Sequence, residues 1–226
     1  MQNTTAGGYL PASFLDWEGH VAAVIFTSGC NFKCPWCHNY DLVFSKTDPI
    51  KIATILNDIE RRRSFLDGVV ISGGEPTICP SLIPLMRELK SMGLPVKLDT
   101  NGSFPNVLES IFDEKLVDFV AMDVKAPLND EDLEIVTGVS ISSNLLKKSI
   151  NLIKKYAPAY EFRTTYLPEL LSKEKLFQIR EELDDDDHWV VQCFKPVNCI
   201  SKEYLEYKEV RAEVVKQLLP DIKIRG

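Results

Sequence analysis

Residues 27–39 read TSGCNFKCPWCHN and follow directly on an apolar run, residues 22–26, that predicts a buried β-strand. This stretch, the cysteine loop, sets Cys30, Cys34 and Cys37 at the spacing C-x3-C-x2-C. Three thiolates at this spacing can each bind one iron of a cubic [4Fe–4S] cluster, and the fourth iron then stays open to a ligand other than protein. The loop therefore predicts an iron–sulfur site with a position where chemistry can occur.

Two other kinds of site use cysteines in this way. A structural zinc ion would take the three thiols with His38 as its fourth ligand, although zinc ligands usually come as two pairs separated by a spacer. An electron-carrying cluster of the ferredoxin kind needs a fourth cysteine nearby, and the next one along the chain is Cys79. The loop favours the cluster with an open iron, and both alternatives stay open.

Composition limits the class of protein. The 226 residues, 45% of them hydrophobic, are enough for one well-cored domain and few for two. The formal net charge of −7 provides no overall basic field for nucleic acid. Residues 1–8 do not read as a signal peptide and no apolar run has membrane-spanning length, so we expect a cytoplasmic protein without a membrane partner. We expect Cys79, Cys193 and Cys199 to be ordinary core or half-buried thiols, because a reducing compartment disfavours disulfides. The four aspartates at 184–187 are interpreted as a solvated helix end or turn.

Strand and helix patterns alternate along the chain. The predicted strands are residues 22–26, 68–72, 95–98, 118–122, 160–165 and 188–194, with helices between them that include one starting at Asp48-Pro49 and a closing helix at residues 204–219. Such a repeat implies parallel strands joined by right-handed crossovers. The sequence thus predicts an α/β fold, a partial, open (β/α)6 barrel, with residues 1–21 as an N-terminal arm and residues 22–226 as the barrel of a single domain.

Polar residues follow several of the predicted strands. Those after the second, third and fourth strands are Gly73, Gly74 and Glu75; Asp99, Thr100 and Asn101; and Asp123 and Lys125. In parallel β/α barrels the working residues collect at the carboxyl ends of the strands, so we expect these side chains to face one site together with the cysteines. Structural interpretations also exist: a tight turn at the two glycines, a helix cap at Asn101 and a buried Asp123–Lys125 ion pair.

The cysteine loop, with Trp36 just before its third cysteine, resembles the signature of the radical S-adenosylmethionine (SAM) superfamily. The resemblance implies a radical SAM barrel in which Cys30, Cys34 and Cys37 hold a [4Fe–4S] cluster and SAM binds the open iron through its amino and carboxylate groups. It also implies that Gly73, Gly74 and Glu75 contact the SAM amino group, and it places Trp36 at SAM.

The third and fourth strand ends resemble those of the activating enzymes of glycyl-radical proteins, such as the pyruvate formate-lyase activase. There the residues matching Asp99, Thr100 and Asp123 help to hold a monovalent cation beside SAM, and the resemblance places Asn101 and Lys125 at SAM itself. Arg163 would pair with the SAM carboxylate, although a structural salt bridge stays open, and Gln192 would lie at the ribose or adenine. The histidine that the activase has in this last region has no counterpart among residues 192–194, which is a departure from the family's pattern.

Residues 15–196 resemble most the activating proteins of anaerobic ribonucleoside-triphosphate reductase. The resemblance implies that a flavodoxin- or ferredoxin-type donor reduces the cluster, that SAM is cleaved to a 5′-deoxyadenosyl radical, and that this radical removes a hydrogen atom from a glycine of a glycyl-radical enzyme. The same chemistry on a small molecule, peptide or nucleotide is one alternative. A non-catalytic iron–sulfur or zinc module is the other.

Overall fold

An open, mostly parallel sheet of eight strands forms the centre of the protein. The structure is a computed structural model that describes residues 4–184, 186 and 188–226. Its strands are β1 Thr5–Ala6, β2 Gly8–Ser13, β3 Ala22–Thr27, β4 Ile50–Lys51, β5 Gly68–Gly73, β6 Val96–Thr100, β7 Phe119–Asp123, β8 Tyr160–Tyr166, β9 Trp189–Cys193 and β10 Lys223–Arg225. The sheet order is β10-β9-β8-β7-β6-β5-β3-β2, in which β2 alone runs antiparallel to its neighbour, and β1 pairs with β4 in a separate ribbon.

Helices cover one face of this sheet. They are α1 Tyr40–Val43, α2 Ile52–Arg61, α3 Leu82–Ser91, α4 Pro105–Asp113, α5 Asp130–Thr137, α6 Ser143–Tyr156, α7 Lys173–Glu182 and α8 Ala212–Leu218, with 3-10 turns at Pro76–Ile78 and Lys202–Leu205. Their apolar residues recur at helical spacing, and Ile55 and Ile59 of α2 are both buried in the main core. Full burial of such a side chain stabilises the fold by about 1.5 to 3 kcal/mol.

The strands divide their side chains between the two faces with a period of two. Ala23 and Ile25 pack in the main core on the helix side, whereas Val24 packs with Val70 and Trp17 on the other face. Trp17, from the loop after β2, fills that face near the start of the parallel strands. Apolar packing therefore occupies one end of the concave face, and the polar residues lie at the carboxyl end.

The six predicted parallel strands are confirmed as β3 and β5 to β9, and the open (β/α)6 barrel is confirmed with them. The predicted helix start at Asp48-Pro49 is wrong, because residues 50 and 51 are extended and pair with β1, and α2 begins only at Ile52. The predicted closing helix at 204–219 is confirmed only for Ala212–Leu218, and its predicted start is wrong. The Val210 N–H donates to the Phe194 carbonyl at 3.0 Å, which ties the chain to the end of β9 and separates the 3-10 turn from α8.

β2 and β10 form the two edges of the main sheet, whereas β1 pairs with β4 outside it. β1 and β2 belong to the predicted N-terminal arm, and the division into arm and barrel stays a prediction.

Residues 1–3 of that arm and residues 185 and 187 of the aspartate run lie outside the described residues. Asp184 is exposed at the end of α7, whereas Asp186 is mostly buried and accepts from the Tyr160 hydroxyl at 2.9 Å. In the described part of the chain we find no helix long and apolar enough to cross a membrane.

Candidate active site

A cavity of about 400 Å³ opens at the carboxyl ends of the parallel strands. The cysteine loop and the ends of β5 to β9 contribute to its walls. All the residues predicted to form the site line it: Cys30, Cys34, Trp36, Cys37, Gly73, Gly74, Glu75, Asp99, Thr100, Asn101, Asp123, Lys125, Arg163 and Gln192. They meet because the carboxyl ends of parallel strands lie at the same edge of a sheet.

Neighbouring loops hold the cysteine loop in place by hydrogen bonds. These run from Asn39 Nδ2 to the Gly73 carbonyl (3.1 Å), from Asn101 Nδ2 to Asn31 Oδ1 (3.0 Å), from the Lys33 N–H to the Thr137 carbonyl (2.7 Å) and from the Ser201 N–H to the Pro35 carbonyl (2.8 Å). The loop is thus fixed from four directions, which preorganises its thiols for a ligand.

The three thiols fit an iron–sulfur cluster by the chemistry of the donor set, since soft thiolates are the usual ligands of such clusters. Burial raises the pKa of Cys30 to about 11 and that of Cys34 to about 12, so iron would have to displace their protons. His38 donates its Nε2–H to the Lys195 carbonyl at 2.8 Å, which removes that nitrogen from the zinc alternative. Within residues 4–184, 186 and 188–226 no group of three His, Cys, Asp or Glu side chains is arranged to hold one metal ion, and the cluster ligands stay a prediction.

Gly73 and Gly74 let the end of β5 pass directly against the cysteine loop. Gly73 has a φ of +117°, and a Cβ on Gly74 would lie 1.8 Å from the Gly29 carbonyl oxygen. The Gly74 N–H donates to the Thr27 carbonyl at 3.0 Å, and the Glu75 N–H donates to that of Gly29 at 2.9 Å. Only glycine fits at this contact, so the motif has a structural reason besides any ligand.

The Glu75 carboxylate joins the loop after β5 to the loop after β6. It is 1% exposed and accepts from the Thr77 N–H at 3.0 Å, from the Thr77 hydroxyl at 2.5 Å, from the Thr100 hydroxyl at 2.7 Å and from the Asn101 N–H at 2.6 Å. Burial raises the pKa of Glu75, and the four donors oppose that rise. The predicted contact of this motif with the SAM amino group stays a prediction, but the carboxylate is already engaged by protein donors.

Two carboxylates and two cations alternate across the cavity wall. Asp123 accepts from Lys125 Nζ and from Arg163 Nε, both at 2.9 Å, and Arg163 Nη1 lies 3.4 Å from Asp99 Oδ1. Burial alone raises the pKa of Asp123, but Arg163 and Lys125 outweigh it and lower that pKa to about 2. The Asp123–Lys125 ion pair that the sequence kept as an alternative is therefore present, although it is half-buried and not fully buried.

This charge cluster still has capacity for an anionic ligand. An ammonium has three donors and a guanidinium five, and the hydrogen bonds to Asp123 use one of each. Both side chains also line the cavity, so their remaining donors are available to a ligand there. A monovalent cation at Asp99, Thr100 and Asp123 stays a prediction, and both oxygens of Asp123 are already shared with Lys125 and Arg163.

The structure adds residues to the wall that the sequence interpretation missed. They are Phe32, Asn39, Val43, Ser72, Thr165, Lys195, Arg225 and Gly226, together with His38 and Cys193, for which other roles were expected. Thr165 could have been predicted, because it lies two positions after Arg163 on β8 and alternate residues of a strand share a face. Arg225 had no such signal, because β10 has only three residues.

β10 is attached to the barrel by an ion pair between Arg225, which is half-buried, and Glu161, which is buried. Arg225 Nη1 and Nη2 donate to the two oxygens of the carboxylate at 3.0 and 3.1 Å. Burial alone raises the pKa of Glu161, but the hydrogen bonds and charge of Arg225 outweigh it and lower that pKa. A carboxyl whose pKa is lower in the folded than in the unfolded protein stabilises the fold above its unfolded pKa, about 4.3, and this stabilisation is lost as the pH falls through its folded pKa.

We therefore expect Glu161→Gln to lower the free energy of unfolding at pH 7 and to have a diminishing effect below about pH 4. Urea unfolding of the wild-type and variant proteins across this pH range measures the difference. A difference that stays constant with pH would contradict the ionised pair.

Comparison with known proteins identifies the family of the chain. The family model for the radical SAM superfamily matches residues 24–178. The chain belongs to the radical SAM superfamily. It is a radical SAM enzyme, and the cofactors of this superfamily are a [4Fe–4S] cluster and SAM.

The relatives of this radical SAM enzyme include activating enzymes. It is 36% identical to a Methanocaldococcus jannaschii protein provisionally named a glycyl-radical enzyme activating enzyme, over 93% of this chain and 88% of the relative. It is 29% identical to the pyruvate formate-lyase-activating enzyme of Staphylococcus epidermidis, over 73% of this chain and 70% of that enzyme.

Solved structures share the fold. Streptococcus suis SuiB bound to S-adenosylmethionine superposes with a TM-score of 0.67 at 16% identity, over 86% of this chain and 45% of SuiB. QueE from Escherichia coli superposes with a TM-score of 0.54 at 18% identity, over 97% of this chain and 92% of QueE. The chain thus spans less than half the length of SuiB, and these likenesses concern the fold alone.

Proposed function

We propose that this radical SAM enzyme activates a glycyl-radical enzyme by removing a hydrogen atom from a glycine of that partner. The observation that carries the proposal is the 36% identity to the M. jannaschii relative named for this activity, which extends over nearly the whole of both chains. Anaerobic ribonucleoside-triphosphate reductase is the partner we propose, because residues 15–196 resemble its activating proteins.

The residues of the cavity have distinct roles in this proposal. Cys30, Cys34 and Cys37 bind the cluster, which together with SAM supplies the radical when both are bound. Lys125 and Arg163 bind the SAM carboxylate, since both retain donors and both lie in the cavity wall. No side chain has to act as a general acid or base. The chain binds and orients SAM and keeps water from the reacting atoms.

Other residues predicted to contact SAM line the same cavity as this pair. Trp36, Asn101 and Gln192 line the same cavity, and Lys125 Nζ lies 5.1 Å from the centre of the Trp36 ring. The Trp36 indole nitrogen is buried and has no hydrogen-bond partner in the described structure. An unpaired buried donor costs about 1 to 3 kcal/mol, and a hydrogen-bond acceptor on a ligand would remove this cost for the Trp36 N–H.

The test is radical formation on the partner. We expect the anaerobically reconstituted and reduced enzyme, mixed with SAM and the reductase, to release 5′-deoxyadenosine and to produce a glycyl-radical signal in electron paramagnetic resonance. A reductase whose acceptor glycine is replaced by alanine is the control and should give no such signal.

Two results would contradict the proposal in different ways. 5′-Deoxyadenosine release without a glycyl radical on any partner would keep the radical SAM chemistry and move its target to a small molecule, peptide or nucleotide. A cluster that does not respond to SAM would leave an electron-transfer module.

A further inference from the structure

Lys97 is a buried lysine directly behind the cavity wall. It lies two positions before Asp99 on β6, so the two side chains share one face of the sheet. The Lys97 side chain is 5% exposed, and it does not line the cavity among the described residues. Its Nζ donates to the Asp16 carbonyl at 2.6 Å, lies 5.4 Å from the centre of the Phe119 ring and lies 3.6 Å from Asp99 Oδ1. A buried ammonium therefore contacts, from behind, a carboxylate that faces the cavity.

Lys97 begins a series of charged side chains, the charge chain, that alternate in sign. Asp99 Oδ1 lies 3.6 Å from Lys97 Nζ and 3.4 Å from Arg163 Nη1. Arg163 Nε donates in turn to Asp123, which also accepts from Lys125, both at 2.9 Å. The charge chain contains three cations and two carboxylates, so it has one positive charge in excess.

Two further carboxylates close to this cavity lie outside the charge chain. Glu161 forms its own ion pair with Arg225 at 3.0 Å, and that pair is neutral as a whole. Glu75 lies in the loop after β5 and accepts hydrogen bonds from uncharged groups, which are the hydroxyls of Thr77 and Thr100 and two backbone N–H groups. Among the described residues, no direct contact of these carboxylates cancels the positive excess of the charge chain.

Asp99, one of the three residues predicted to hold a monovalent cation, already has two cationic neighbours. Its Oδ2 accepts from the Ser72 hydroxyl at 2.9 Å. Its Oδ1 is buried and makes no hydrogen bond in the described structure, but it lies between the nitrogens of Lys97 and Arg163. An added cation at this oxygen would lie close to two like charges, which is unfavourable away from water.

The other two predicted cation ligands are also engaged. The Thr100 hydroxyl donates to Glu75 at 2.7 Å and accepts from the Gly102 N–H at 3.1 Å. Both oxygens of Asp123 accept from the lysine and the arginine of the charge chain. The three side chains therefore do not fit a further cation, because groups of the protein already occupy the contacts it would need.

We propose that the Lys97 ammonium takes the place of the monovalent cation, so that this enzyme binds SAM without one. The four charge-chain side chains other than Lys97 have no net charge together, and a SAM carboxylate bound to them would leave one negative charge uncompensated in a partly buried site. Lys97 supplies the positive charge that compensates it. The proposal rests on the proposed function only in the binding of the SAM carboxylate by Lys125 and Arg163.

The test compares SAM binding in potassium chloride, sodium chloride and choline chloride at equal ionic strength. Choline presents methyl groups and cannot bind among oxygen ligands as an alkali cation does. Isothermal titration calorimetry with the anaerobically reconstituted enzyme measures the affinity. We expect the wild-type protein to bind SAM equally well in all three salts.

Lys97→Met keeps the length and the apolar stem of the side chain but removes its charge. We expect this variant, at the iron content of the wild-type protein, to bind SAM about tenfold or more weakly in choline chloride. Potassium or sodium chloride should restore most of that loss, because an alkali cation can then enter beside Asp99. 5′-Methylthioadenosine, which lacks the carboxylate, should bind equally to the wild-type protein and to Lys97→Met.

Two control variants separate the charge of Lys97 from other effects of the substitution. Lys97→Arg keeps the charge and should bind SAM independently of the salt. Lys90→Met removes a lysine of α3 that pairs with Asp118 at 2.8 Å and does not line the cavity among the described residues. It should bind SAM as the wild-type protein does in every salt.

Three results would overturn the proposal. They are a wild-type protein that loses SAM affinity in choline chloride, a Lys97→Met protein that binds SAM normally there, and a Lys97→Met protein that is equally weak in all three salts, which would make Lys97 a structural residue. SAM binding needs no partner enzyme. A failure to form a glycyl radical would therefore overturn the proposed function and leave this comparison valid.

Discussion

Cys34→Ala is expected to prevent cluster assembly and to reduce SAM cleavage to background. Cys34 is the middle cysteine of the loop and is 5% exposed, so its thiol faces the protein interior and the cavity. One iron of a cluster held by three thiolates already has no protein ligand, and loss of a thiolate leaves a second iron in that state. Iron content and visible absorbance after anaerobic reconstitution measure assembly, and release of 5′-deoxyadenosine measures cleavage.

Cys79→Ala is the matched control for this prediction. Cys79 follows the 3-10 turn after β5, and its sulfur lies 3.1 Å from the Ser81 hydroxyl. It does not line the cavity among the described residues, so its replacement should leave iron content and activity close to those of the wild-type protein. Full iron loading of the Cys34 variant, or loss of iron from the Cys79 variant, would contradict the assignment of the ligands.

Glu75→Ala is expected to lower the free energy of unfolding by about 3 to 5 kcal/mol. The substitution removes the acceptor of four donors, from Thr77, Thr100 and Asn101, at a buried position. Donors that lose their partner away from water cost more than the hydrogen bond itself contributes. The midpoint of urea unfolding, measured at the same cluster loading as the wild-type protein, gives the size of the effect.

Two further variants separate the stability lost with the hydrogen bonds from the stability lost by shortening a side chain. Glu88→Ala, on the exposed face of α3, should change stability by about 0.5 kcal/mol or less. Glu75→Gln retains the shape but replaces one acceptor by an NH2 donor, so we expect a loss smaller than that of alanine but larger than that of the Glu88 variant. A Glu75→Ala protein as stable as the Glu88 variant would show that this carboxylate does not join the two loops.

Glu75 combines a position at the cavity, which the sequence predicted, with a structural role that the sequence did not predict. The motif after β5 predicted a position at the cavity, and Glu75 does lie there. It did not predict that the carboxylate turns away from solvent to bind Thr100 and Asn101. Those residues are about 25 positions away along the chain, and their distance from Glu75 depends on the pairing of β5 with β6. Such pairing leaves no signature at the glutamate itself.

The sequence by itself determined the family signature, the six parallel strands and the edge of the sheet where the polar residues collect. These depend on local properties: cysteine spacing, apolar periodicity, and the rule that parallel strands present their carboxyl ends together. Only the tertiary structure decided that Arg163 joins the Asp123–Lys125 pair, and that β10 brings Arg225 to the cavity. The physical reason is that an ion pair or a short edge strand is stabilised by partners distant in sequence, and local periodicity contains no information about them.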